Sequence, residues 1–238
     1  MVPILPPPSD YPRIKVVDSF EELIGTAWGD GVNALCWPRV LEGDFAEVAE
    51  QLMGCGEGIT GLDEDRLRRL TLGQAGRAAV GVMLEDLRCL RELGLGPELN
   101  SISNYPREEK PGAVRTDVYS FHADSAPVAA DTWLCTYHGA PSEGLRNDQG
   151  RRRIDDPFTR AALLEEAGGK DDAAFLEYLE ECCYHLHYAP VEQAQPFSFG
   201  LGNLWRIAVE YPGSPVPPCI HRAPDTVEGQ LPRLLLIC

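Results

Sequence analysis

Three side chains in this sequence have residue types and a spacing suited to binding a metal ion. His122 and Asp124 are two residues apart, and His221 lies much later, near the C-terminal end. Residues i and i+2 of a β-strand project from the same face, so His122 and Asp124 can reach one ion together. Two histidines and one carboxylate hold Fe(II) from one side and leave its other positions open. The pattern therefore predicts that His122, Asp124 and His221 form a metal-binding and catalytic set.

Other interpretations of the histidines stay open at this point. An Asp two residues after one of the five histidines is common by chance, so His122 could be an ordinary hydrogen-bonded strand residue and Asp124 a turn residue. A second pair, His185 and His187, also falls on one face of a strand, as in cupin-like metal sites. No carboxylate follows this pair at a matching spacing, and we therefore expect His185 and His187 to lie on the surface or beside a substrate.

The secondary structure predicted from the sequence changes from mainly helix to mainly strand near residue 100. The first hundred residues have the apolar periodicity and capping residues of helices, most clearly in residues 76–93, whose apolar side chains form one stripe. After residue 100, β-branched and aromatic runs predict strands, interrupted by a helical insert at about residues 155–183. The predicted strands are 114–121, 132–137, 184–188, 204–209 and 234–237.

This order of elements predicts an α+β protein with a single domain. Residues 1–99 would give mainly helical support, and residues 100–238 would form a double-stranded β-helix, or jelly roll, that carries the insert. The alternative is an open α+β sheet. In a jelly roll, strands that are distant in the chain lie side by side, so His221 can approach His122 and Asp124.

The charge of the chain restricts its partners. A formal net charge of −16 disfavours binding to nucleic acids and to anionic membranes. No run approaches the roughly 20 apolar residues of a membrane span, and the first residues lack the basic start and apolar segment of a signal peptide. We therefore expect a cytoplasmic protein. These patterns do not predict an oligomeric state.

Several other site types have no motif in the sequence. The eight cysteines include no Cys-x-x-Cys pair, which disfavours a zinc ribbon or a thioredoxin site. In the cytoplasm most of them should be reduced, and we assign no role to the adjacent Cys182 and Cys183. The phosphate-binding loops of nucleotide enzymes and the nucleophile elbow of serine hydrolases are also absent.

The segments that carry the three ligands resemble the Fe(II)- and 2-oxoglutarate-dependent oxygenases over roughly residues 100–238. The shared pattern is His-x-Asp, a long interval, a second His, and then a basic residue about ten positions further on, here Arg233. The resemblance implies that His122, Asp124 and His221 bind Fe(II). It also implies that Arg233 binds the far carboxylate of the co-substrate 2-oxoglutarate, because a guanidinium can make two parallel hydrogen bonds to a carboxylate.

The resemblance leaves some roles open. Arg222, directly after the distal histidine, is an alternative to Arg233 as the partner of the co-substrate. Tyr119 and Tyr137 would line the co-substrate pocket. The implied activity is hydroxylation or desaturation of a small molecule, an amino acid or a peptide side chain, and the sequence does not indicate which.

A second and weaker likeness is to an uncharacterised bacterial family of unknown function. It rests on residues 33–39, 135–139 and 221–222 and implies no activity. Two alternatives to the oxygenase also remain. One is a cupin-like metalloprotein whose chemistry does not need 2-oxoglutarate, and the other is a protein that binds metal without catalysis.

Overall fold

A computed structural model describes residues 6–54, 56, 58–107, 112–227 and 229–238 of the chain. The protein is a mixed α+β structure with two β-sheets. The first sheet has seven strands in the order β1-β2-β11-β6-β13-β4-β3, and β1 is parallel to β2 while the other neighbours are antiparallel. Its strands are β1 (Ile14–Val16), β2 (Ala34–Trp37), β3 (Ile59–Gly61), β4 (Glu98–Ile102), β6 (Asp131–His138), β11 (Leu204–Ala208) and β13 (Arg233–Ile237).

The second sheet has six shorter strands and is antiparallel throughout, in the order β10-β7-β12-β5-β9-β8. Its inner face packs against the inner face of the first sheet, as Phe197 and Cys219 share a buried cluster with Trp205 and Leu235. This arrangement is consistent with a β-sandwich. The strands are β5 (Phe121–His122), β7 (Glu143–Leu145), β8 (Gly150–Arg152), β9 (His187–Pro190), β10 (Phe197–Ser198) and β12 (Ile220–Arg222).

The four helices in the described part of the first hundred residues cover the outer face of the first sheet, whereas the two helices of the insert form a separate cluster. Strand β6 alternates, so that Trp133, Cys135 and Tyr137 join the helix-side core while Leu134 faces the second sheet. Five of the six helices in the described residues begin after a Ser or Asp whose side chain accepts a hydrogen bond from a backbone N–H of the first turn. The helices are α1 (Phe20–Gly25), α2 (Phe45–Leu52), α3 (Glu64–Arg68), α4 (Gln74–Glu92), α5 (Pro157–Glu166) and α6 (Ala173–Glu181).

The longest helix, α4, confirms the apolar stripe expected for residues 76–93. Its buried side chains include Ala79, Val80, Met83, Leu87 and Leu90. The insert also contains two helices, α5 and α6, as predicted. Among the helices described, none combines the length and the apolar composition that a membrane crossing requires.

Three expectations about strands need correction. Residues 114–121 do not form a strand, because Val114 packs against α5 and α6 and a turn from Asp117 to Ser120 follows; only Phe121 and His122 pair with neighbours. The strand predicted at 184–188 is wrong in its first three residues. Tyr184–Leu186 form a 3₁₀ turn, and β9 begins at His187. The first hundred residues contribute four strands, β1 to β4, in addition to helices.

Candidate metal centre

His122 and His221 lie directly opposite each other on the adjacent strands β5 and β12. Their ring centroids are 4.7 Å apart, because cross-strand partners project from the same face of a sheet. Asp124 follows β5 and is held in place by a backbone hydrogen bond from the Glu210 N–H to its carbonyl oxygen. The structure thus brings all three predicted ligands together, with one ligand atom of each within 4.8 Å of the others.

Backbone carbonyl groups fix the orientation of both imidazole rings. The Nδ1–H of His122 donates to the Ser120 carbonyl oxygen at 2.7 Å, and that of His221 donates to the Cys219 carbonyl oxygen at 3.3 Å. Since a carbonyl oxygen only accepts, each Nδ1 carries the hydrogen and each Nε2 is left with a free lone pair. The two Nε2 atoms are 3.8 Å and 3.6 Å from the Asp124 carboxylate oxygens.

The protonation states also suit metal binding. Burial, together with the neighbouring His221, lowers the pKa of His122 to about 4. Burial alone would raise the pKa of Asp124, but His221, the hydrogen bond from Thr132 and His122 outweigh it and bring this pKa below its ordinary value. Near neutral pH, His122 is therefore neutral and Asp124 ionised, which are the forms that bind a cation.

The group could therefore hold a metal ion. Two imidazole nitrogens and one carboxylate supply three ligands from one side, and a metal with four to six positions would keep room for others. The Thr132 hydroxyl donates to Asp124 Oδ2 at 2.5 Å and orients the carboxylate, as outer partners do in metal sites. No protein-family model, curated protein or solved structure matches the chain.

A cavity of about 310 Å³ lies between the two sheets beside these ligands. Both sheets contribute to its wall: His122 and His221 come from the second sheet, whereas Leu134, Leu235 and Arg233 come from the first. Most of the remaining wall is apolar. His122, Asp124 and His221, the candidate metal-binding group, therefore open into a partly enclosed space large enough for small organic molecules.

Arg233 lies deep in this cavity and is 5% exposed. Its guanidinium donates to three hydroxyl groups: Tyr105 at 2.6 Å, Thr136 at 2.9 Å and Ser142 at 2.8 Å. Its buried Nε–H has no hydrogen-bond partner among the described residues. The Arg233 side chain also forms no ion pair with a carboxylate in that part of the chain. Burial lowers the pKa of Arg233 from its ordinary value, because the charged form is poorly solvated there.

Arg222 has a different environment. Its guanidinium pairs with the buried carboxylate of Glu143 at 2.6 Å and covers the Phe121 ring at 4.5 Å. It does not line the cavity. Of the two arginines considered from the sequence, Arg233 is the one placed in the cavity beside the metal-binding group.

Neither tyrosine expected in the pocket lines this cavity. Tyr137 follows Thr136 on β6 and so points to the opposite face, where it donates to Asp86 at 2.7 Å. Tyr119 lies in the turn before β5, where its hydroxyl accepts from the Tyr105 N–H at 3.2 Å. It therefore supports Tyr105, whose own hydroxyl contacts Arg233. Sequence reasoning did not assign Tyr105 to the site, although this aromatic residue closely precedes the His-x-Asp segment.

His185 and His187, the second histidine pair, have different environments. His187 is buried and lies directly opposite His122 in the β5–β9 pair, with ring centroids 5.9 Å apart. His185 lies in the 3₁₀ turn before β9, and its Nδ1 is 3.3 Å from the Leu179 carbonyl oxygen. Of the two positions expected for this pair, the surface is wrong for His187, which is buried beside His122, whereas a position beside a substrate stays a prediction.

Proposed function

We propose that this protein is an Fe(II)- and 2-oxoglutarate-dependent oxygenase built on a jelly roll. The observation that carries the proposal is the position of Arg233, a buried guanidinium without a carboxylate partner among the described residues, in the same cavity as His122, Asp124 and His221. A buried charge without a counter-charge is unfavourable. A bound anion next to Arg233 would provide that counter-charge.

The hydroxyl groups around Arg233 support the binding of a carboxylate. Tyr105, Thr136 and Ser142 all accept hydrogen bonds from the guanidinium. Each hydroxyl then keeps its own hydrogen available to donate elsewhere. These hydroxyl groups give a carboxylate beside the guanidinium more donors than a lone arginine would.

The distance between the two ends of the site is compatible with a short diacid. Thr132 bonds to Asp124 at the metal-binding end, and Thr136 bonds to Arg233 at the other end. These residues are four apart on β6, which corresponds to roughly 13 Å of strand. A five-carbon dicarboxylate with one end at a metal and the other at the guanidinium would span this interval once the contacts at both ends are included.

The fold and the ligand set support the same proposal. The histidines come from adjacent strands that are far apart in sequence, as expected for a jelly roll. With 2-oxoglutarate and dioxygen, bound Fe(II) would supply the oxidation of a substrate C–H bond by hydroxylation or desaturation. The chain itself would hold the imidazole rings through Ser120 and Cys219, and its apolar side chains Leu134 and Leu235 would limit the access of water.

The test is an anaerobic titration of metal-free protein with Fe(II) and then 2-oxoglutarate, followed by visible absorption. Wild-type protein is expected to bind Fe(II) and to develop a weak charge-transfer band when 2-oxoglutarate is added. Arg233→Met should keep iron binding but require at least about 30-fold more 2-oxoglutarate, because truncating a buried, hydrogen-bonded charge partner costs about 2–5 kcal/mol.

Arg222→Met is the matched control and tests the alternative partner. It should leave the 2-oxoglutarate titration unchanged, because Arg222 pairs with Glu143 and does not line the cavity. Thermal unfolding of both variants separates a lost contact from a lost fold. Iron binding without the band would favour the cupin-like alternative, and a protein that binds no iron would refute the metal centre itself.

A further inference from the structure

Asn100 is a buried polar side chain that faces the cavity without a partner. It lies on β4, is 7% exposed and lines the same cavity as the metal-binding group. Its side-chain amide makes no hydrogen bond to another residue in the described part of the chain. The amide oxygen and nitrogen are not among the fully buried unpartnered atoms of the described residues, so they are open to the cavity and can hydrogen-bond to a molecule there. A molecule in the cavity would be the partner of this amide.

Glu98 lies two residues earlier and faces the same cavity from its open side. The strand register gives its position, because Ile237 pairs with Glu98 on one side and with Leu134 on the other. Two strand spacings put Glu98 about 10 Å from Leu134. Leu134 in turn lies two residues after Thr132, which bonds to Asp124. A molecule that extends from the metal-binding group across the sheet would therefore reach Glu98.

The wall next to Glu98 and Asn100 is apolar. Leu235 pairs with Asn100 and Ile237 pairs with Glu98 on the neighbouring strand, and both line the cavity. Ile59 lies diagonally from Asn100, because it pairs with Ile102. Apolar side chains gathered at a cavity suit an apolar ligand segment.

The charges in the cavity favour a positive group at this end. Arg233 is the single Lys or Arg among the lining residues in the described part of the chain, and the proposed function assigns it to 2-oxoglutarate. Asp124 faces the two histidines, whereas Glu98 forms no ion pair with a described residue. The formal net charge of −16 also favours the approach of cations.

We infer that Glu98 and Asn100 form the binding subsite for the substrate to be oxidised, and that this substrate carries a cationic amine or guanidinium on an apolar stem. Glu98 would bind the cation, Asn100 would hydrogen-bond to it or to a neighbouring polar group, and Leu235 and Ile237 would contact the stem. The inference rests on the proposed function, which leaves this part of the cavity for the substrate.

Two probes with the same alkyl chain test the charge preference: n-pentylamine and n-pentanol. Each is titrated into metal-free protein, and binding is followed by the chemical shifts of cavity residues. Wild-type protein should bind n-pentylamine about 10-fold more tightly than n-pentanol, and Glu98→Gln should abolish this preference. Glu50→Gln, on the exposed part of α2, is the matched control and should retain it.

A second variant and a second pair of probes complete the test. Asn100→Leu should weaken n-pentylamine binding at least 3-fold, and thermal unfolding shows whether that variant remains folded. L-lysine and a blocked lysine peptide distinguish a free basic molecule from a basic side chain of a peptide. Equal binding of n-pentylamine and n-pentanol to wild-type protein, or an unchanged preference in Glu98→Gln, would overturn the inference.

The titration uses neither iron nor 2-oxoglutarate. The oxygenase proposal and the cation-subsite proposal are therefore tested independently. An amine preference without an iron and 2-oxoglutarate complex would refute the oxygenase and retain a cation subsite. A charge-transfer band without an amine preference would retain the oxygenase and refute the subsite.

Discussion

His122 and His221 occupy opposite positions on two adjacent strands, although they are far apart in the sequence. The pairing of β5 with β12 therefore fixes the distance between the two rings, while Asp124 depends on the few residues after β5. Metal affinity should be most sensitive to the ligands themselves and less sensitive to the residues that orient them.

Asp124→Ala is expected to lower the affinity for Co(II), used as a spectroscopic substitute for Fe(II), by more than about 100-fold. Thr132→Val removes only the hydrogen bond that orients the carboxylate, so a loss of roughly 10- to 100-fold is expected. His187→Gln is the control, because His187 packs against His122 but is not part of the ligand group, and its affinity should stay within a few-fold of wild type. Equal losses in all three variants would contradict the assignment of ligands.

Tyr105→Phe tests the support that a hydroxyl group gives to Arg233. The variant loses the 2.6 Å hydrogen bond from the guanidinium but keeps the ring that packs against Tyr119. We expect a 5- to 10-fold weaker affinity for 2-oxoglutarate, corresponding to about 1 kcal/mol for one hydrogen bond, and an unchanged Co(II) affinity. Tyr211→Phe, outside the lining of the cavity, should change neither quantity.

The ligand set could be predicted from the sequence because its key spacing is local. The positions of His122 and Asp124 need only the two-residue period of extended chain. The choice of this pair and of His221 over other interpretations depended on the resemblance to the Fe(II)- and 2-oxoglutarate-dependent oxygenases. The partners of Arg233 could not be predicted, since Tyr105 and Ser142 reach it only through the packing of separate segments. The prediction that Tyr137 lines the pocket was wrong because side chains alternate along β6. Thr136 points into the cavity toward Arg233, so Tyr137 points to the opposite face.

The strand predictions failed where tertiary contacts override local preference. Val114 has a strong strand propensity, but here it fills a cluster formed with Leu163, Phe175 and Leu179 of the insert helices. Conversely, strands β1 and β3 have only three residues each, too few to show a clear alternation of apolar and polar side chains. Their pairing with β2 and β4 is what makes them strands.

Gly144 should not tolerate a larger residue. It lies opposite His221 on β7, and a Cβ at this position would come within 2.2 Å of the buried Phe197 ring. Gly144→Ala is expected to destabilise the protein by about 1–3 kcal/mol in urea unfolding and to weaken Co(II) binding as β12 shifts. Gly81→Ala is the control, because no atom lies within 4 Å of its Cβ position on α4 and the change should stabilise the helix by up to about 1 kcal/mol.

The buried thiols should make the protein less stable in alkaline solution. Burial raises the pKa values of Cys36 and Cys135 from 9.0 to about 12. Between pH 9 and pH 12 the two thiols ionise in the unfolded chain but stay protonated in the folded chain, which lowers the free energy of unfolding. The contribution of each thiol to stability is therefore complete below pH 9 and is lost as the pH rises toward 12. The free energy of unfolding in urea should therefore fall above pH 9, by at most about 1.4 kcal/mol per pH unit for each thiol. Cys36→Ala should reduce this slope, whereas Cys183→Ala, at an exposed position, should not, and equal slopes in the two variants would exclude Cys36 as a source of the effect.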